Sequence, residues 1–542
     1  MDLRPASILR WLFAPVHGDH ERLTPRWLFL RALGLIYFSA FYSLLFQIRG
    51  LIGPNGILPA AEYLRAVTNS FGLARFWYAP TLLWFSAGNH MLMALCWAAL
   101  IASVLLTINI FPRGTLLICF ICFLSFVSAA SDFSGYQSDG MLLEAGFISL
   151  FLAPPGFRPR LAPSNPPVRA SIFLLLWEWF RIYFESGIAK LASGDPEWRH
   201  FTAMDEYYQN GPLPTWIGWY VQHLPHWFHA ATAFGTLAVE LALVWMLFLP
   251  RRFRIICFFI VTPWQIGIIL TANYTFLNYL VLALGIFLLD DRFLAHVIAR
   301  FVPHSWRARL SQSTQALVEA PDSQETSAPK WQQSWARHLA AVKLALTSVM
   351  FLWLFYSSTV LLLLMLWRDA PFPYAPVAAL QPFRVADRYG LFAVMTRGRY
   401  EIEFQGSNDG ENWIAYPFRY KPQSPYEAPR IYAPYQPRFD WNLWFASLGH
   451  WRSNPIVPRT EERLLEGSPD VLSLFAGNPF PQPPRQIRVL LWQYWFTPMQ
   501  EKREHGLWWR RQLLGSYSPI LARDANGRII AVEWPPELPA RQ

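Results

Sequence analysis

The sequence predicts an α-helical polytopic membrane bundle of about nine transmembrane helices, followed by an extramembrane, mainly β domain with a sandwich-like fold. Three observations support this fold class. Hydrophobic residues make up 53% of the 542 residues, only 15% are charged, and long apolar runs give way to alternating patterns after Trp367. An ordinary soluble protein of this size carries more charge, so the composition indicates a membrane protein.

Nine apolar runs are candidate spans, because a helix that crosses a bilayer needs about 20 mostly apolar residues. They lie at 26–48, 90–110, 114–130, 141–153, 170–191, 227–249, 254–271, 274–289 and 340–367. The run at 141–153 is the shortest, and a re-entrant piece is the alternative to a full crossing there.

The net charge of +10 indicates orientation in the membrane rather than binding to nucleic acid. If all nine runs cross and the N-terminus is cytoplasmic, the outer loops hold only Arg49, Arg65, Arg75 and Arg199. The inner segments then hold Arg4, Arg10, Arg22, Arg26, Arg113, Arg158, Arg160, Arg169, Arg251, Arg252, Arg254 and the basic residues of 292–337. This asymmetry predicts a C-terminal domain outside the cytosol, in a bacterial periplasm or in the lumen of the endoplasmic reticulum.

Composition divides the chain into four parts. We expect a transmembrane bundle with ordered outer loops at 1–304, a flexible cytoplasmic linker at 305–335, a last transmembrane helix at 336–369 and the outer domain at 370–542.

Alternation in the outer domain predicts strands. Tyr400, Ile402 and Phe404 alternate with Glu401 and Glu403, as in a half-buried strand. The segment 407–410, Ser-Asn-Asp-Gly, then supplies turn residues before a strand at 413–418. Further strands are expected at 389–395, 487–497 and 528–534, and a helix is expected to start with Ser468 as its cap and Pro469 as its first residue.

The run at 170–191 carries four charged residues, each costing about 2.5–3.5 kcal/mol at the bilayer centre unless paired or hydrated. Glu178, Arg181 and Glu185 are spaced to form an ion-pair ladder on one helix face. One reading is a neutral stripe that only locks the bundle together. The other is that the stripe lines a hydrated, outward-open cavity with Glu144 and Glu240.

Lys190 is the one charge of this run without an evident partner in its own helix. A lysine near a helix end usually extends to the membrane interface. The alternative is a catalytic base.

Known chemical motifs give little support for catalysis. His223, His226 and His229 are each three residues apart, and at this spacing the three side chains do not lie on one face of a helix. We therefore expect neither a metal nor a cofactor. The sequence contains no glycine-rich nucleotide loop, no HExxH and no GxSxG. We therefore do not expect this chain to be a lipase.

Several stretches, in order and covering most of the chain, resemble the lipase maturation factor family. In the bundle they are LIGPNGILPA at 51–60, YQSDGMLLEAGF at 136–147, FRIYFESGIAKLASGDPEW at 180–198, PLPTWIGWYVQHLPHWF at 212–228 and LTANYTFLNYLVLALGIFLLDD at 270–291. In the outer domain they are YEIEFQGSNDGENWIAYPFRYKP at 400–422, APRIYAPYQPRFDWNLWFASLG at 428–449 and RLLEGSPDVLSLFAGNPFP at 463–481.

The resemblance implies a multi-pass protein of the secretory pathway that assists the folding of secreted lipases or similar client proteins. It suggests client-binding roles for Tyr136, Asp139, Tyr432, Trp441 and Trp444, which lie in the matching stretches. The partners expected are therefore a secreted client protein and membrane lipid.

The helical part also resembles, more weakly, the membrane domain of vitamin K-dependent gamma-carboxylases, through the segment 186–191, Ser-Gly-Ile-Ala-Lys-Leu. This second resemblance implies an enzyme in which Lys190 is a base, with Glu144, Arg181 and Glu185 around it. A transporter is a third possibility, but no matching pair of broken helices favours it.

Overall fold

The structure, a computed structural model, describes residues 12–13, 22–159, 166–301 and 330–536. Most of the predicted linker at 305–335 lies outside the described residues. The helices are α1 (Leu23–Leu45), α2 (Ile48–Ile52), α3 (Ala60–Phe71), α4 (Arg75–Tyr78), α5 (Asn89–Thr107), α6 (Pro112–Val127), α7 (Gln137–Leu152), α8 (Arg169–Ala192), α9 (Pro196–Arg199), α10 (Tyr207–Asn210), α11 (Trp216–Gln222), α12 (His226–Leu241), α13 (Arg251–Thr271), α14 (Leu277–Gly285), α15 (Asp291–Phe301), α16 (Lys330–Leu366), α17 (Ala375–Leu380), α18 (Arg438–Leu448), α19 (Ile456–Leu465), α20 (Pro469–Leu472) and α21 (Met499–His505).

All nine apolar runs are helical, and five form helices long and apolar enough to cross a membrane. These five spans are Leu23–Leu45, Asn89–Thr107, His226–Phe248, Arg251–Thr271 and His338–Leu366. The apolar helices Pro112–Val127 and Leu277–Leu288 are shorter, α7 has only 16 residues, and α8 is long but carries the charged stripe. The helical membrane part is confirmed, whereas the full count of nine crossings is not established.

Arginines gather at one end of the bundle. The backbone N–H groups of Leu23 and Thr24 donate to Asp291 at 2.8 and 2.7 Å, and Arg251 pairs with Asp290. Arg113 donates to the carbonyl of Ala153 at this same end. The outer domain contacts the opposite ends of the helices, where Ser39 donates to Pro434. The two ends of the bundle therefore differ in charge.

The outer domain contains one six-stranded sheet. Its strands are β1 (Arg399–Ser407), β2 (Ile414–Ala415), β3 (Gln486–Phe496), β4 (Trp509–Ser516), β5 (Ile520–Arg523) and β6 (Ile529–Glu533). The order is β2-β1-β3-β5-β6, with β4 pairing along the rest of β3, and every pairing is antiparallel.

The predicted sandwich is not what the described residues form. Helices α18 and α19 pack against the sheet, where a second sheet would lie in a sandwich. Their buried residues Phe439, Leu443, Val457 and Leu464 supply the apolar layer that the sheet needs on that face. The domain is therefore a helix-covered antiparallel sheet.

Local turn chemistry was predicted correctly in two places. Ser407 and Asp409 bind the backbone N–H groups of the turn between β1 and β2, as expected for 407–410. Ser468 accepts from the N–H of Val471 and caps α20, which starts at Pro469. These short-range signals work because the side chain satisfies its own neighbouring backbone.

The strand predicted at 389–395 is wrong. This apolar segment is an irregular stretch inside a longer connection, residues 384–398, which we call the strap. The strap joins the membrane part to β1 and lies against the bundle. Tyr389 is buried and Leu391 and Phe392 are half-buried, with Phe392 packed against Tyr207 and Tyr274 rather than in a sheet, so the apolar pattern misleads.

Candidate functional site

The candidate site is the place where the strap crosses α7 and α8. The N–H of Tyr389 donates to Glu185 at 2.6 Å, and its hydroxyl donates to Glu144 at 2.6 Å. The N–H of Gly390 donates to Gln137 at 2.9 Å, and that of Leu391 donates to Ser186 at 3.2 Å. Backbone groups of the strap thus find partners in bundle side chains instead of a strand, as buried amides require.

Arg181 is the centre of this contact. It forms an ion pair with Glu144 of α7 and a longer one, 3.8 Å, with Glu185. It also donates to the carbonyl of Asp387 at 2.8 Å, and its guanidinium lies 5.1 Å from the ring centre of Tyr389. The predicted ladder is therefore only partly present, because Arg181 turns to Glu144 rather than to Glu178.

The strap covers the space predicted to be a hydrated cavity. Glu144, Arg181 and Glu185 are 3%, 0% and 0% exposed. At Gly140 the strap comes so close that an added methyl group would overlap the carboxylate of Asp387. The expectation of a water-filled cavity at these three residues is thus corrected: protein fills the space.

Lys190 has a partner on another helix. Its ammonium donates to both carboxylate oxygens of Glu240 on α12, at 2.8 and 2.9 Å, and to the carbonyl of Leu391 at 3.0 Å. An ammonium has three N–H donors, so all are occupied. A base needs a free lone pair near its substrate, and this geometry instead makes Lys190 an anchor for the strap.

A second buried ion pair attaches the outer domain to the bundle. Nη1 and Nη2 of Arg438 donate to the carboxylate of Asp139, both at 2.7 Å, and Nη1 also donates to the carbonyl of Phe133 at 2.6 Å. Asn442 donates to the hydroxyl of Tyr136 at 2.6 Å. Asp139 and Arg438 are each 0% exposed, so water cannot replace either partner.

The remaining predicted binding residues also lie at or near this attachment. The ring of Trp441 meets Tyr136 edge-on at 5.3 Å, and Trp444 is only 7% exposed. The N–H of Tyr432 donates to Asn273 of the bundle at 2.6 Å. Trp441 and Trp444 therefore have little side-chain surface left to contact a client, whereas Tyr432 is half-buried.

The three histidines point to different partners. His223 contacts the carbonyls of Trp219 and Thr497, His226 contacts Asp205, and His229 contacts the carbonyl of Leu224. Among the described residues no group of three potential ligands could hold a metal.

Sequence reasoning missed Asn273, Asp387, Tyr389 and Arg438. Their partners across the site lie far along the chain: Arg438 is 299 residues from Asp139, and Tyr389 is 245 residues from Glu144. One signal was available, since Arg438 and Asp440 stand at the start of an otherwise aromatic, apolar helix. A charge in such a place predicts a buried partner but does not say which one.

Comparisons with known proteins match both parts of the chain. The lipase maturation factor transmembrane domain matches residues 24–296, and the lipase maturation factor C-terminal domain matches residues 385–519. This chain belongs to the lipase maturation factor family. The C-terminal family match begins inside the strap, so the segment that docks on α8 is part of the family's own domain.

Named members of the lipase maturation factor family are similar to this chain over nearly its whole length. Lipase maturation factor 2 of Homo sapiens is 31% identical over 92% of this chain and 82% of the relative. The Gallus gallus protein of that name is 32% identical over 92% and 81%, and lipase maturation factor 1 of Bos taurus is 31% identical over 93% and 90%. No solved structure matches the chain.

Proposed function

We propose that this protein is a membrane-anchored maturation factor that holds partly folded secreted clients, lipases among them, at its extramembrane domain. The observation that carries the proposal is the similarity to proteins named lipase maturation factor over both the bundle and the outer domain. The buried attachments at Arg438 and Lys190 support it. They would keep a client-binding domain at a fixed position above the membrane.

The charge distribution supports a lumenal or periplasmic outer domain. The arginine-rich end of the bundle, with Arg22, Arg26, Arg113 and Arg251, is opposite the outer domain. Because basic residues favour the cytoplasmic side, we place the outer domain in the endoplasmic reticulum lumen or in a bacterial periplasm. Secreted clients fold in these same compartments.

A client needs an exposed surface, and strand β6 offers one. Among the described strands, β6 pairs with β5 only. Ile530 is 45% exposed, Val532 is 49% exposed, and Trp534 just beyond the strand is 62% exposed. An open, apolar sheet edge can accept an extended segment of another chain through backbone hydrogen bonds.

The open edge along β4 differs from that of β6. It carries Arg510 and Arg511, and such charges discourage pairing with a further strand. We therefore assign the client contact to β6 and take β4 as the matched control edge.

The test is a pair of charge substitutions with a secreted lipase as client. In cells lacking their own maturation factor, the Ile530→Lys/Val532→Lys variant should lower the activity of the secreted lipase per unit of lipase antigen. Leu513→Lys on β4 should leave this activity unchanged. The side chain of Leu513 is 47% exposed, close to the exposure of Ile530 and Val532. Equal membrane levels of both variants are the control. Full lipase activity with the β6 variant would remove β6 as the contact, and full activity in cells lacking the whole protein would remove the proposed function.

A further inference from the structure

One cavity in the membrane part lies beside the strap contact, and Leu391 and Phe392 of the strap form part of its wall. It has a volume of about 490 Å³ and lies between α12 and α13, with α8 and α14 behind it. Its walls are mainly apolar and aromatic, including Phe228, Ile260, Trp264, Ile268 and Val281. A volume of this size falls in the range of sites for single small ligands, about 300–1,000 Å³.

The cavity reaches the outer surface of the bundle at α13. Pro263 and Gly267 line it from α13, and both are exposed on the outer surface of the bundle. Helix α13 is the least buried of the five candidate spans, with 17% of its apolar window covered. A side chain at Gly267 would meet no atom within 4 Å, so the space next to it is open.

The polar groups of the wall are mostly satisfied by each other. Gln265 donates to the hydroxyl of Tyr183 at 2.7 Å, and Asn278 donates to Gln265 at 2.6 Å. Thr232 and Thr236 donate to carbonyls of their own helix. These groups have little hydrogen-bonding capacity left for a ligand, so specificity has to come from the one charged pair.

Lys190 and Glu240 are the only charged residues among those described as lining the cavity. Together they are neutral, and the lysine has no N–H left to donate. The side chain of Glu240 is 13% exposed, against 2% for Lys190, so the carboxylate is the partner that a ligand can reach. A carboxylate accepts hydrogen bonds and repels anions, which calls for an uncharged donor such as a hydroxyl.

We propose that this cavity binds an uncharged lipid alcohol. The single hydroxyl donates to Glu240, and the apolar chain lies along Trp264 and leaves past Pro263 and Gly267 into the bilayer. Burial of the chain supplies the affinity, and the hydroxyl sets the orientation. This inference does not depend on client maturation, since no residue of β6, to which the client contact is assigned, lines the cavity.

The experiment uses the full chain in phosphatidylcholine nanodiscs and a photoactivatable diazirine analogue of oleyl alcohol. Labelling should map to peptides containing 228–240 and 260–271. Gly267→Phe fills the open space and should abolish this labelling. Ile266→Phe, at a neighbouring exposed position outside the cavity, should leave it unchanged. Equal labelling of wild type and Gly267→Phe would overturn the proposal.

The head group is tested with a matched probe that carries a carboxylate on the same chain. The acid should label the two peptides at least about tenfold less than the alcohol, a difference of about 1.4 kcal/mol. Unlabelled geranylgeraniol and cholesterol, added separately to wild type, distinguish a chain alcohol from a sterol, and competition by either one supports the site. Absence of competition by both, or equal labelling by the acid, would contradict it. These wild-type measurements decide the matter even if Gly267→Phe does not fold.

Discussion

Arg438 of the outer domain and Asp139 of α7 form a bidentate ion pair, with both N–O distances 2.7 Å and both side chains fully buried. The pair joins α18, which covers the sheet, to a helix of the membrane bundle. The continuous buried core on either side includes Leu143 and Phe439. The outer domain is therefore built onto the bundle rather than tethered to it.

Removing one partner of this pair should be costly. Arg438→Met leaves Asp139 as an unpaired buried charge, and such changes cost about 3–5 kcal/mol of unfolding free energy. We expect a clearly lower thermal midpoint for the detergent-purified full chain. Arg430→Met is the matched control, because Arg430 is 63% exposed and pairs with Glu427 at the surface.

The double variant Arg438→Met/Asp139→Leu should recover much of that loss, since it removes both charges and leaves apolar groups in their place. A double variant as unstable as Arg438→Met alone would mean that packing around the site, rather than the unpaired charge, causes the loss.

Lys190 and Glu240 provide a test that separates an anchor from a base. Lys190→Met leaves Glu240 buried without its cation and should free the strap, increasing hydrogen exchange at 389–395. The double variant Lys190→Met/Glu240→Leu should restore protection and client secretion. Removal of Glu240 cannot restore a missing base, so a double variant that folds but stays inactive would favour the catalytic role of Lys190.

The hydroxyl of Tyr389 is expected to hold the strap on Glu144. Tyr389→Phe removes one hydrogen bond to a charged acceptor, worth about 1.5–3 kcal/mol, while the ring and the N–H bond to Glu185 remain. Hydrogen exchange should rise within the strap and stay unchanged in β3. Tyr426→Phe, at a residue that is 67% exposed, is the control. Unchanged strap exchange would show that the hydroxyl contributes little to docking.

The sequence was most informative where the deciding forces are local. Apolar length predicted the five helices that are long and apolar enough to cross a membrane, and turn and cap residues placed the β1–β2 turn and the start of α20. It failed at 389–395, because a strand and a buried irregular segment share the same apolar pattern. Glu144, Arg181 and Lys190 were recognised as unusual charges, but their partners Asp387, Tyr389 and Leu391 come from a segment far along the chain. Pairing of this kind depends on tertiary structure, which spacing alone cannot specify.

Asp440 should make the outer domain sensitive to pH. Burial raises the pKa of this carboxyl from 3.8 to about 6, although Lys421 and the N–H groups of Lys421 and Tyr420 act in the opposite direction. The native state therefore holds the proton more tightly than the unfolded state. The stability that this group contributes is full below pH 4 and is lost as pH rises through about 6.

Asp440→Asn keeps an acceptor for the two N–H groups and carries no charge at any pH. Relative to wild type, its unfolding free energy should therefore increase by up to about 3 kcal/mol between pH 4 and pH 7. The thermal midpoints of wild type and Asp440→Asn are compared across this pH range. Other titrating groups such as Glu461 contribute equally to both proteins, so their effects cancel in the difference. A difference in thermal midpoint between the two proteins that does not change with pH would contradict the assignment of this pH dependence to Asp440.

Orientation in the membrane can be read from single introduced cysteines, because the four native cysteines are all buried. Asn526 lies in an exposed turn of the outer domain, and His296 is exposed on α15 near the arginine-rich end. In spheroplasts of a bacterial host, a membrane-impermeant maleimide should label Asn526→Cys directly. It should label His296→Cys only after permeabilisation, because the basic end is expected in the cytosol. The reverse pattern would place the outer domain in the cytosol, where no secreted client could reach β6.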